Sequence, residues 1–250
     1  MSGQRGKGRD GAARRPSGRA AGRKPVTGRP AAKARSAAPA KARAADPVAQ
    51  TAPPPGPFRL GAIAGATPGK WIDIWQQRMP RNPLELIPLT PDAQRGAVMR
   101  GEVDTALVRL PIDAAGLHVI PLYDELAVVV CARDSALTAA DELTAADLDG
   151  EILLTPLDDV LGFSAPGTTA PRFAAPETTE DAIAVVASGV GIVVVPMSLA
   201  RLYHRKDIDF RPLHDAPTST VALAWNADRT DPLIDTFVGI VRGRSIRSSR

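Results

Sequence analysis

Twice within fifty residues the chain repeats one pattern: a short apolar run followed by a Thr-Pro pair. Residues 58–64 lead into Thr67-Pro68, and residues 84–89 lead into Thr90-Pro91-Asp92. Threonine is a favoured N-cap and proline is favoured at the first helical position, so each pair predicts a helix directly after a strand. Trp71, Ile74 and Trp75 share one face of the first helix, which ends near Pro80. Val98 and Met99 close the second, and Gly101 follows as its C-terminal stop. Residues 103–110 then read as a third strand. A βαβαβ order implies parallel strands joined by right-handed crossovers, and hence an α/β fold.

The pattern continues less regularly. Residues 117–122 and 126–131 read as strands, 143–148 as a short helix closed by Gly150, and 151–155 as another strand. Residues 156–176 are rich in Pro, Gly and Thr and read as irregular. Thr178 and Asp181 have capping-box spacing and open a helix that runs to Ser188-Gly189. A buried strand over 192–195 stops at Pro196, and a helix follows over 198–204. Residues 220–225 form a strand and 232–242 an amphipathic helix. The character of the chain changes near 126–132, which predicts two similar α/β lobes. The first is expected to hold residues 58–128 with 219–250, and the second residues 129–218.

Charge separates the folded part from what precedes it. Before Phe58 there are 13 Lys/Arg against 2 Asp/Glu, about +11, whereas the remainder carries about −7. Residues 1–57 contain no aromatic residue and almost no large aliphatic one, so they cannot bury enough apolar surface to offset the entropy of ordering. A disordered basic tail is therefore expected, ending in the stiff spacer Pro53-Pro54-Pro55-Gly56-Pro57. Cys131 is the only cysteine, which excludes an intrachain disulfide and four-thiolate zinc sites; it reads as a small buried hydrophobe. No run approaches the ~20 apolar residues of a membrane span, and the basic start lacks the apolar core of a signal peptide. A cytoplasmic location is expected, with nucleoid association through the tail as one option.

Four stretches together resemble one family, the effector-binding domain of LysR-type transcriptional regulators. Phe58-Arg59-Leu60-Gly61 with Thr67-Pro68 is similar to that domain's first strand and helix. Arg100-Gly101-Glu102-Val103-Asp104-Thr105-Ala106-Leu107 resembles the passage into its third strand. Leu122-Tyr123-Asp124-Glu125-Leu126-Ala127-Val128-Val129 resembles its "P-L-x-x-E-x-L-x-L-V" segment. The stretch from Val186 to Pro196, with Gly189 and Gly191, resembles "V-A-A-G-x-G-I-x-L-L-P". The resemblance implies two Rossmann-like lobes with a ligand cleft between them, as in periplasmic binding proteins. It also implies that a small molecule is sensed rather than turned over. Family members begin with a winged helix-turn-helix, and here a basic tail stands in that place. The resemblance thus supports effector binding and leaves operator recognition unsupported.

In such a fold ligands sit beyond the C-terminal ends of parallel strands. Thr67, flanked by Ala66 and Pro68, follows the first strand and also matches the family position. Thr90 follows the second strand, and Thr178 opens a helix of the other lobe. Each either offers a hydroxyl to a carboxylate or phosphate near a helix N-terminus, or simply caps its helix. Arg109, beside Pro111, either grips an anion with two parallel hydrogen bonds or forms a salt bridge at the lobe junction. Pro196 and Ser198 end a strand at the cleft, where Ser198 either meets ligand or caps the next helix. The expected effector is a small carboxylate or other anion, and a homo-oligomer is compatible with the family.

Signals for catalysis or a metal are missing, so neither an enzyme nor a cofactor is expected. In Gly162-Phe163-Ser164-Ala165-Pro166-Gly167 the second glycine is one residue late for a nucleophile elbow. His118, His204 and His214 show no metal-ligand spacing, and Gly189-Val190-Gly191 precedes a strand, the reverse of a dinucleotide-binding turn. In the tail, Arg14, Arg15, Arg23, Lys24, Arg29, Lys33 and Arg35 are the candidate DNA contacts. Gly28-Arg29-Pro30 is a partial AT-hook core with Thr27 where an arginine belongs. Such cations neutralise phosphates without reading bases. The alternative is a stand-alone small-molecule-binding protein whose tail only solubilises it.

Overall fold

A computed structural model describes residues 56–243 of the 250-residue chain. Arg14, Arg15, Arg23, Lys24, Arg29, Lys33 and Arg35 lie outside the described residues, as does the expectation of a disordered tail.

The first sheet has five strands in the order β2-β1-β3-β9-β4: β1 (Phe58–Ile63), β2 (Leu84–Leu89), β3 (Thr105–Arg109), β4 (Leu117–Glu125) and β9 (Ser219–Asn226). β1 pairs in parallel with β2 and β3, joined through α1 (Gly69–Arg78) and α2 (Gln94–Met99). β9 pairs antiparallel with both β3 and β4, so the sheet is mixed rather than wholly parallel. The second sheet runs β6-β7-β5-β8: β5 (Ala127–Ala132), β6 (Leu153–Leu154), β7 (Ile192–Pro196) and β8 (Ile208–Pro212). The chain changes sheet at Leu126, between β4 and β5, and returns between β8 and β9. Two passages therefore connect two α/β lobes, and the fold is the two-lobed one that the sequence predicts.

Each sheet is covered on both faces, which explains why its strands read as near-continuous apolar runs. On one face of the first sheet Phe58, Leu60, Leu107 and Leu223 meet Trp75 of α1 and Phe237 of α5 (Pro232–Val241). Phe58 stacks on Trp75 with centroids 4.4 Å apart. Ala97, Val98, Ala106 and Val108 pack the opposite face with α2. In the second sheet Val128, Val130, Val193 and Val195 face α3 (Thr179–Ala187) and α4 (Met197–Leu202). Val129, Cys131 and Val194 face the other way, toward Leu137, Leu148 and Ala165. Cys131 is buried, and burial pushes its thiol pKa up.

Several local expectations change. Thr67 is not the cap of α1: Pro68 occupies that position, the helix starts at Gly69, and no side chain caps it. Thr90 is not the cap of α2 either; it sits three residues before the cap residue Ala93, whose N–H it accepts at 3.3 Å. Thr178 does cap α3, accepting from the Asp181 N–H at 3.1 Å. The helix expected over 143–148 is a single 3-10 turn, Ala145–Leu148, with Thr144 and Asp147 as its capping box. The strand expected over 151–155 shrinks to two residues. β8 is a strand beyond those expected: its sequence, Ile-Asp-Phe-Arg-Pro, alternates apolar and polar residues but is short, ends in proline and sits at a sheet edge.

Candidate functional site

At the passage between the lobes the polar side chains are tied together. Arg109, at the end of β3, is 4 % exposed, and its Nη1 donates to Glu125 Oε2 at 2.7 Å. The same Nη1 donates to Ser219 Oγ, and Nη2 reaches the Ala64 carbonyl at 3.5 Å. The Gln94 side chain pairs with both backbone groups of Arg109, at 2.8 and 3.0 Å. Ser198, at the start of α4 in the second lobe, donates to Glu125 Oε2 at 2.9 Å. Gly65 has a positive φ of 83° and lies so close to Ser198 that a Cβ would collide with its hydroxyl. The two lobes thus touch through Glu125–Ser198 and Gly65–Ser198. Of the two readings open for Arg109, the geometry realises the salt bridge at the lobe junction.

Next to this junction is a cavity of about 630 Å³. Residues 65–67 after β1 form one wall and residues 123–126 of the β4–β5 passage form its base; Met197, Ser198, Arg201 and Leu202 of α4 face them. Among the expected site residues, Ala66, Thr67 and Ser198 come together here. Pro68 and Pro196 are buried beside it at the starts of α1 and α4. Thr90, Arg109 and Thr178 do not line it.

Half of the polar side chains that line the cavity already have protein partners. Thr178, outside the lining, both accepts from the Asp181 N–H and donates to the Asp181 carboxylate at 2.7 Å. Asp124 accepts the Thr220 hydroxyl at 2.6 Å, and Ser198 gives its proton to Glu125. Three side chains differ. The hydroxyls of Thr67 and Tyr123 and the guanidinium of Arg201 have no hydrogen-bond or ion-pair partner among the described residues. Burial, then the neighbouring Glu125 carboxylate, pushes the Tyr123 pKa up, so the phenol stays protonated and remains a donor. Tyr123, Leu126 and Leu202 are three of the six exposed large hydrophobic side chains among the described residues, and all three line this cavity. Tyr123 and Arg201 are not singled out by the sequence, because nothing in their spacing separates them from ordinary surface residues.

A smaller groove of about 420 Å³ lies at the far end of the second lobe, by Arg133, Ser188 and Asp207. Among the described residues no cluster of three His, Cys, Asp or Glu is placed to hold a metal ion, and no helix is long and apolar enough to cross a membrane.

The LysR substrate binding domain profile matches residues 51–245. The Hca operon transcriptional activator HcaR of Escherichia coli K12 is 28% identical over 187 residues, 70% of this chain and 62% of that protein. The chain spans about three fifths of the length of the curated relatives it matches first. The reduced form of the OxyR regulatory domain from Pseudomonas aeruginosa aligns with a TM-score of 0.58 at 25% identity, over 75% of this chain and 98% of that one. The BenM effector binding domain, solved with its effector benzoate, aligns with a TM-score of 0.62 at 21% identity over 75% of this chain and 91% of that one, a likeness of fold.

Proposed function

Because the chain belongs to the LysR substrate-binding domain family, we propose that it is an effector-binding protein of the regulator type, and that its effector occupies the cavity between the lobes. Its curated relatives are transcriptional regulators. The observation that carries the proposal is that one cavity of about 630 Å³ is walled by residues of both lobes, so that its occupant touches both. A ligand held this way stabilises one arrangement of the lobes by its differential contacts, and that is how it signals. The volume lies within the usual range for small-molecule sites, and the wall mixes apolar side chains with a few unspent donors. The effector in this reading is a small anion, sensed without being chemically changed, in the cytoplasm.

The tail extends the proposal. Arg14, Arg15, Arg23, Lys24, Arg29, Lys33 and Arg35 neutralise DNA phosphates without reading sequence. DNA retention by the whole chain then falls steeply with salt, differs little between sequences, and disappears when residues 1–57 are removed. Sequence-specific retention by the shortened chain would contradict this.

The effector reading is tested by thermal unfolding of the whole chain against a panel of small carboxylates, phosphates and neutral compounds. A ligand that binds only the native state raises the melting temperature. A concentration-dependent shift that Tyr123→Ala abolishes supports the cavity as the site. A shift unchanged by Tyr123→Ala moves the site elsewhere.

A further inference from the structure

The cavity has its unspent polar groups on opposite sides: Thr67 and Tyr123 belong to the first lobe and Arg201 to the second. Arg201 sits in the last turn of α4, which packs on β5 and β7 of the second sheet. Its guanidinium has no acidic partner among the described residues; Arg81, Arg133, Arg172 and Arg242 also have no ion pair, but of these five only Arg201 lines the cavity. Arg109, the arginine that sequence put forward as an anion holder, is buried and engages Glu125, Ser219 and the Ala64 carbonyl. A guanidinium presents several donors in one plane and takes a carboxylate with two parallel hydrogen bonds. Beside it, Leu202, Leu126 and the Tyr123 ring provide apolar surface already exposed to solvent in the cleft.

Resting on the effector reading above, we propose that Arg201 is the residue that selects the effector's charge, gripping a carboxylate whose apolar body lies on Tyr123, Leu126 and Leu202. The negative charge of Glu125 does not oppose this, because Arg109 neutralises it at 2.7 Å and Ser198 donates to the same oxygen. Thr67 and the Tyr123 phenol donate from the opposite lobe, so the carboxylate ligand bridges the lobes while Arg201 sets which ligands qualify. A neutral isostere of the same shape keeps the apolar contacts and forfeits the charge-assisted bonds.

The test measures binding to the whole chain of benzoate, phenylacetate and hexanoate, each beside its primary amide, by calorimetry. The proteins are the wild type, Arg201→Met, Arg201→Lys and Tyr123→Ala. Arg201 is exposed, so its variants are expected to fold, and circular dichroism checks that they do. In wild type at least one carboxylate binds more tightly than its amide. Arg201→Met lowers carboxylate affinity about tenfold or more, the usual cost of a hydrogen bond to a charged group, and leaves the amide nearly unchanged. Arg201→Lys keeps the preference for charge with reduced affinity. If carboxylate binding survives Arg201→Met but is lost in Tyr123→Ala, the cavity stands and the role of Arg201 is overturned. If binding survives both, the cavity reading fails as well. If none of the three carboxylates binds wild type, or the amides bind equally well, the proposed ligand class is wrong.

Discussion

The lobe junction and the cavity beside it are neighbours built from similar residue types and in opposite states. At the junction Arg109, Glu125, Ser198, Ser219 and Gln94 satisfy one another, with Arg109 and Glu125 only 4 % and 9 % exposed. In the cavity Thr67, Tyr123 and Arg201 reach toward space with no protein partner among the described residues. A buried polar group must be paired because leaving it unpaired is costly, whereas a solvated one can wait for a ligand. Whether an arginine belongs to the scaffold or to the site is therefore decided by its partners, and residue type alone does not decide it.

Breaking the junction should produce the largest effect. Arg109→Ala leaves the Glu125 carboxylate buried without its counter-charge, and removing one partner of a buried pair costs about 3–5 kcal/mol. Chemical denaturation should show that loss; a loss below about 1 kcal/mol would mean the pair is better solvated than its geometry indicates. Gly65→Ala is the next test. It forces a side chain into a positive-φ position and against the Ser198 hydroxyl, and such backbone strain alone costs about 1–3 kcal/mol. A melting temperature equal to that of wild type would show that the contact between Gly65 and Ser198 yields easily. The smallest effect on stability is expected from Thr67→Ala. Because Thr67 does not cap α1, stability should change by no more than about 0.5 kcal/mol, while affinity for a bound carboxylate falls about tenfold. A loss of about 1 kcal/mol in stability with unchanged affinity would return Thr67 to the role of a cap.

These contrasts also mark what the sequence conveys. Both α/β lobes are legible, because strands covered on two faces read as unbroken apolar runs such as Val128-Val129-Val130 and Val193-Val194-Val195. The Thr178 cap is legible because the capping-box spacing is local. The Thr67 cap is misread because placing α1 depends on the conformation of Pro68, which has φ −75° and ψ 4° and sits outside the helix. That one-residue shift is also what leaves the Thr67 hydroxyl unspent. The pairing of Arg109 with Glu125 spans 16 residues and two strands, and its link to Ser198 spans a further 73, so no local pattern encodes either. Arg201 and Tyr123 carry no sequence signal at all. They stand out only once the folded chain has given most other polar groups near the cleft a partner.

The proposed effector site lies where residues 65–67, 123–126 and α4 come together. Hydrogen exchange of the whole chain tests it most directly, measured with and without saturating amounts of whichever of benzoate, phenylacetate or hexanoate binds. Exchange is expected to slow in residues 65–70 and 197–202 together, one segment from each lobe, with little change at Arg133, Ser188 and Asp207 around the distant groove. Slowing confined to that groove, or to one lobe alone, would contradict it.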